Sequence, residues 1–235
     1  MHRVLHAFAD PFAFRQALPD IWSGFLINVH MMVIAEALVL VLALVMAIVR
    51  GLPGRGAKPF RGLAILYTDF FRGTPLTIVA FACILGLPGL GYSVVRNASS
   101  EALGVVALTI VYTAYVTEVY RAGIESVHGS QRMAARSLGL SYMQALRYVV
   151  LPQAIRRVIP PLLNDFIGLQ KDTAIIGAIG VTEAAAQGTN YANSYFNFTG
   201  YLVGAVFFVY LTIPLARYTD HIIRERERRE RAAMV

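Results

Sequence analysis

The chain has 235 residues, 57% of them hydrophobic and only 15% charged, with a formal charge of +7. A soluble domain of this size carries about 25% charged residues, so the depletion, together with long apolar runs and a mean hydropathy of +0.56, excludes an ordinary soluble enzyme and places the chain in a membrane. The basic balance would suggest nucleic acid in a soluble chain; here it reads as orientation in a bilayer, because the basic residues fall between and after the oily runs.

In chain order, the first twenty residues mix Asp10, Pro11, Arg15, Pro19 and Asp20 with apolar positions and lack the pattern of a cleavable signal peptide. The segment 5-LHAFADPFAFRQAL-18 is expected to lie along the membrane surface or to form a loop. A helix needs about 20 apolar residues to cross about 30 Å of hydrocarbon. Five stretches meet this: 22–49, 63–87, 102–120, 158–180 and 199–216. The second is interrupted by 69-DFFRGTP-75, and the fourth carries polar residues in its middle. Trp22 fits an aromatic belt at the outer surface, and His30 opens the apolar run as an interfacial residue. Cys83, the one cysteine, reads as a small packing residue.

The connections 50–61 and 121–157 and the tail 217–235 are basic. The connections 88–101 and 181–198 hold one basic residue between them, Arg96. Lysine and arginine accumulate on the cytoplasmic side. The N-terminus is therefore expected outside and the C-terminus in the cytoplasm. The tail 224-RERERRER-231 reads as a solvated helix end with i,i+4 pairs.

One segment stands apart: 132-RMAARSLGLSYMQALRYVVLPQAIRR-157 carries five arginines and no acid. Gly139 sits where a short helix would stop, because glycine accepts the left-handed backbone that caps a helix. Ser141 reads as the N-cap of a second helix, with Gln144 as its capping-box partner, and Leu151-Pro152 is expected to close that helix. As physics alone, the segment is either a well-capped surface hairpin or a docking element for another protein.

The pattern Ala134-Ala135, Gly139, Val149 and Leu151-Pro152 resembles the EAA loop of ATP-binding-cassette importer permeases. It is flanked by 118-EVYRAGIESVHGSQ-131 and 161-PLLNDFIGLQKDTAIIGAIGVTE-183, with 70-FFRGTPL-76 upstream. This set is similar to the polar amino acid permeases, the histidine, arginine, glutamine and opine importers. The first position of the EAA triplet departs from the pattern, holding Met133 instead of glutamate. The resemblance implies an all-α integral membrane permease of the type I importer kind. It has five transmembrane helices in one domain, 1–235, with a coupling helix at about 128–140 in its cytoplasmic loop. Ala134, Ala135, Gly139, Leu151 and Pro152 would be the residues that couple to the ATPase. The implied location is the bacterial inner membrane. The implied partners are a cytoplasmic ATP-binding-cassette ATPase dimer, a second permease chain, an extracytoplasmic solute-binding protein, the amino acid solute and membrane lipid. The chain shows no G-x-x-x-x-G-K-[ST] phosphate loop, so ATP and magnesium are expected on the partner, with no cofactor, metal or catalytic residue here and no nucleic acid.

Charges at bilayer depth are costly, so they need a reason. Asp165 and Asp172, spaced i,i+7, share one helix face about 10 Å apart. Either they bind the ammonium or cationic group of a solute, or they pair locally with Lys171 and pack. The resemblance favours solute ligands. Arg72 and Thr74 lie at a helix break of the kind that forms transporter binding sites. Arg72 suits an α-carboxylate; it could instead reach the headgroups or be neutralised by Asp69. Glu36 reads as an interhelical contact, with a pathway role as the other reading. Tyr112, Thr113 and Tyr115 read as packing. The expected solute is a cationic or zwitterionic amino acid or derivative, moved by alternating access. The rival is an ion-coupled secondary amino acid transporter, which would explain the acids but not the hairpin.

Overall fold

The computed structural model describes residues 7–52, 54–127 and 129–232, and every regular element among them is helical. The expected hairpin helix and the tail therefore lie outside the described residues at His128 and at 233–235, as does the first part of the segment 5–18.

The first helix, α1, runs without interruption from Pro11 to Gly51. Asp10 starts it by accepting from the Phe12 amide at 2.9 Å, and Pro11 supplies a preset first turn. From Pro11 onward the segment expected as a surface helix or loop is instead part of α1. Ala17, Ile21 and Phe25 bury against Ala184 and Val203, so tertiary packing extends the helix well past the apolar stretch. At about 1.5 Å per residue its 41 residues reach about 61 Å, twice a hydrocarbon core.

α2 (Lys58–Gly73) ends at Thr74-Pro75, and α3 (Leu76–Phe81) continues through a π turn and a 3-10 turn to Leu90. The two parts are bent by 105°. After a short α4 (Ser93–Arg96), Ser99 caps α5 (Ser100–Glu125) by accepting from the Ala102 amide at 3.1 Å. α5 is the centre of the bundle. Its Leu108, Val111 and Val116 pack against Met31, Ala35, Val39 and Ala43 of α1, spaced at helical pitch.

The hairpin comprises α6 (Gly129–Ser137) and α7 (Tyr142–Ala145). Gly139 takes φ +84°, the Leu140 amide donates to the Ala135 carbonyl and the Gly139 amide to that of Arg136, a Schellman closure. Ser141 and Gln144 form the expected capping box, with bonds of 2.8 and 3.3 Å. Leu151-Pro152, expected to close the second helix, instead opens α8 (Leu151–Gly177), which follows α7 through a π turn over Leu146–Val150. Proline is tolerated in a first helical turn, where its missing N–H has no partner to lose.

The connection after α8 holds α9 (Ala184–Tyr195), and α10 (Thr199–Ala232) continues through the expected fifth span into the tail. Within α10, His221 lies 3.4 Å from Glu225, and Arg224 lies 3.9 Å from Asp220. Several side chains of 226–231, where further pairs were expected, lie outside what is described.

Among the described residues three helices are long and apolar enough to cross a membrane: α1, α5 and residues Thr199–Glu225 of α10. The bent pair α2–α3 makes a fourth if it is one span. α8, expected as a span on its apolar residues, is not among them. Asp165, Lys171 and Asp172 fall within the same 18 residues and lower its hydropathy.

One polar node ties three helices together. Asn28 of α1 donates to Thr173 of α8 at 3.0 Å and to Glu183 at 2.9 Å, and accepts from the Ala184 amide at 3.0 Å. Glu183, fully buried, caps α9 by accepting from the Ala185 and Ala186 amides. A carboxylate at a helix N-terminus is favoured by the exposed amides and the helix dipole. Replacing Glu183 by alanine takes an acceptor from the buried Asn28 amide and from the part-buried Ala185 and Ala186 amides, and is expected to cost about 3 kcal/mol of stability. Thermal unfolding of the detergent-purified variant checks this; a midpoint equal to that of the parent chain would contradict it.

Candidate functional site

α2, α5 and α8 enclose an open cleft of about 620 Å³. Its charged lining is Arg72 from α2, Glu118 from α5, and Arg157 and Asp165 from α8, with Tyr115, Ser126 and Pro161 among the rest. Two candidate solute residues, Arg72 and Asp165, are thus brought to one space from different helices. One Asp165 carboxylate oxygen is buried and has no hydrogen-bond partner among the described residues, an unsatisfied acceptor at the edge of the cleft.

The helix break explains how Arg72 is presented. Pro75 interrupts the helical bonding, and two side chains take up the carbonyls this releases: Thr74 Oγ1 donates to Phe70 at 2.8 Å, and Tyr115 Oη donates to Arg72 at 3.3 Å. Thr74 therefore closes the end of α2 and is not part of the cleft lining. Arg72 forms no ion pair with Asp69 among the described residues.

Asp172 is placed elsewhere. Its carboxylate accepts from Tyr112 Oη at 2.8 Å, outside the cleft lining, while Lys171 is exposed. Tyr112 thus has a more specific role than packing. Glu36 of α1 is half-buried, and one of its oxygens is buried without a partner among the described residues. His30 lies 2.5 Å from Glu101 at the start of α5.

Glu118 lines the cleft, but its charge is already matched. Arg50, the last basic residue of α1, pairs with it, and Arg121 binds it with contacts of 2.7 and 2.9 Å. Arg50 also donates to Thr68 of α2 at 2.7 Å. The Arg50 and Glu118 side chains are 13% and 14% exposed, so the pair is largely withdrawn from water. Arg121 continues to Glu125, so one guanidinium holds two carboxylates of α5. This network was not anticipated. The i,i+3 and i,i+4 spacing of Glu118, Arg121 and Glu125 was the available signal; the Arg50 partner spans 68 residues of sequence.

The hairpin is seated on the same helices. Val127, Val150 and Ala154 form a small buried cluster under it. Gly123 of α5 meets Val158 of α8 so closely that a Cβ there would lie 2.1 Å from Val158 Cγ1. Ala135 is buried, while Ala134, Gly139, Leu151 and Pro152 are exposed, with Leu138 84% and Met133 66% exposed beside them. Four of the five candidate coupling residues therefore lie on the outer surface, and Ala135 faces inward.

Residues 40–228 match the family described as binding-protein-dependent transport system inner membrane component. The chain belongs to that family. A Bacillus subtilis (strain 168) protein named "Probable glutamine ABC transporter permease protein" is 38% identical over 172 residues, covering 73% of this chain and 78% of that one. The arginine transport system permease protein of the same strain is 31% identical over 210 residues, covering 89% and 93%. The crystal structure of an amino acid ABC transporter with histidines superposes with a TM-score of 0.83 at 30% identity, covering 92% of this chain and 99% of that one. The all-helical arrangement is the type I ABC importer permease fold, and the chain is an amino-acid ABC transporter permease subunit. Membership of this family favours ATP-driven transport over the ion-coupled rival.

Replacing Arg50 by alanine leaves Glu118 with one of its two arginines and is expected to lower stability by about 2 kcal/mol. A double-mutant cycle with Glu118→Gln, read by thermal unfolding, should return a coupling energy of about 1 kcal/mol or more. Additive effects would show the pair to be independent.

Proposed function

We propose that the cleft between α2, α5 and α8 is the solute pathway of an importer for polar amino acids, cationic or zwitterionic. One observation carries this reading: an arginine and an aspartate from different helices face the same space. Every free amino acid carries a carboxylate and an ammonium, and the pair Arg72 and Asp165 offers one partner to each. Arginine can hold both carboxylate oxygens at once, and the Asp165 carboxylate on the lining can accept from the ammonium. Asp172 is a second candidate ligand, available once Tyr112 releases it.

In this reading α8 is the fourth of five crossings, its polar residues turned toward the pathway and not toward lipid. The basic segments 50–61 and 121–157 and the tail lie in the cytoplasm, with the N-terminus outside. The hairpin α6–α7 docks on a cytoplasmic ATP-binding-cassette ATPase, which carries the ATP and magnesium. The chain itself catalyses no covalent step. It works beside a second permease chain and receives solute from an extracytoplasmic binding protein. Exposed Met133 and Leu138, with Gly139 between the helices, supply the apolar surface and the turn that such a docking element needs. Closure of the ATPase pair around nucleotide would draw the hairpins together and exchange inward and outward states by rigid movement of packed helices.

Asp165→Asn and Arg72→Gln are each expected to raise the KM for amino acid uptake about tenfold or more while leaving membrane protein levels unchanged. Asp172→Asn should have a smaller effect, because the amide oxygen still accepts from Tyr112. Uptake by whole cells over a range of solute concentrations checks the order; an unchanged KM in the Asp165 and Arg72 variants would refute the ligand roles.

Gly139→Arg forces a bulky residue into φ +84°, a strain of about 1–2 kcal/mol, and adds a charge to an exposed turn. The variant should reach the membrane, yet its ATPase activity should no longer respond to solute. Normal solute-stimulated ATPase activity and uptake would contradict docking through this turn.

A further inference from the structure

The geometry points to Arg157 as the positioning residue that links the hairpin to the solute cleft, an inference that rests on the proposed pathway and on docking of the hairpin. Arg157 belongs to both places. Its side chain lines the cleft with Asp165 and Arg72, and its guanidinium donates to the carbonyl of Ser126. Ser126 is the C-cap of α5, three residues before α6 begins.

On α8, Arg157, Pro161 and Asp165 fall at i, i+4 and i+8 along one stripe, and all three line the cleft. The stripe covers about 12 Å. One end is fastened to the base of the hairpin and the other carries the candidate solute carboxylate.

The fastening is stiff. Ser126 Oγ is itself held by the Gly123 carbonyl at 2.7 Å. Val127 and Val150, on the two sides of the hairpin, bury together with Ala154, one turn before Arg157. Gly123 and Val158 leave no room between α5 and α8 at this level. A charge-assisted bond to a carbonyl, backed by close packing, transmits displacement instead of absorbing it. Arg72, on the opposite wall, has a second anchor: its helix is tied through Thr68 to Arg50 of α1, besides the Tyr115 bond to its carbonyl about three turns up α5 from Ser126. Movement of the hairpin therefore shifts Asp165 relative to Arg72, opening or closing the pair that would hold the solute.

The test uses the whole assembly, purified from native membranes through a tag on this chain and placed in liposomes. ATP hydrolysis and import of radiolabelled L-glutamine, L-glutamate and L-arginine are measured together. Arg157→Ala is expected to keep ATP hydrolysis within about twofold of the parent while import per ATP falls about tenfold, and Arg157→Lys, which keeps a cationic donor, should recover most of the loss. An unchanged import per ATP in Arg157→Ala would overturn the linking role. So would loss of hydrolysis and import in proportion, or an Arg157→Lys variant no better than Arg157→Ala. If the parent assembly, supplied with its extracytoplasmic binding protein, imports no polar amino acid with ATP, the importer reading itself fails, before any variant is compared.

Discussion

The ion pair between Arg50 and Glu118 is the contact on which the arrangement around the cleft depends. It joins the end of α1 to α5, and through Thr68 it brings in α2. Moving two charges out of water is expensive, and the expense is recovered only where geometry is good and the remaining donors and acceptors are satisfied. Here Arg121 occupies the second Glu118 oxygen and Thr68 takes a further Arg50 donor. The consequence reaches the cleft. Glu118 faces it, but its charge is matched by Arg50 and Arg121, whereas Asp165 on the same lining forms no ion pair among the described residues.

Local chemistry was legible in the sequence, and distant pairing was not. The Gly139 turn and the Ser141–Gln144 box depend on residues within five positions of one another, and both appear as expected. The break at Gly73-Thr74-Pro75 was legible for the same reason, since proline imposes it from the covalent structure. The extension of α1 back to Pro11 was hidden, because Ala17 and Ile21 gain their helical reason only from α9 and α10. Leu151-Pro152 misled in a different way. A proline marks a boundary without saying which side is helix, and the preceding π turn allows the chain to continue through it. Asn28 and Glu183 gave no signal at all, each looking like an isolated polar residue until the fold places them 2.9 Å apart. Of the candidate solute residues, the sequence identified Arg72 and Asp165 individually. Only the fold puts them in one cleft and sets Asp172 against Tyr112.

The hairpin shows how a family motif and physical packing divide the work. Ala135 and Gly139 satisfy internal demands, one buried against the body of the protein and the other permitting the turn. Met133 and Leu138 face outward, where a partner would meet them. Met133 stands where the family pattern has glutamate, so the surface offered at that position is apolar and adaptable instead of anionic. A partner groove suited to it would need an apolar wall there, with acidic groups set for Arg136 or Arg147.

α8 explains why length and hydropathy recognise fewer crossings than the permease reading requires. A span that borders lipid on most of its surface must be apolar nearly all round. α8 instead packs against α1, α5 and α10, burying its own Leu169, Thr173 and Ile176, with its Gln170 bonded to Thr212 of α10 at 2.7 Å. Protein, not lipid, then becomes the solvent of its polar groups, and the cost of Asp165 and Asp172 is set by tyrosine and arginine neighbours rather than by hydrocarbon. The polarity that keeps α8 from reading as an apolar span is the same polarity that places Arg157 and Asp165 on one wall of the cleft. A helix built for that task should look like a poor membrane span on paper.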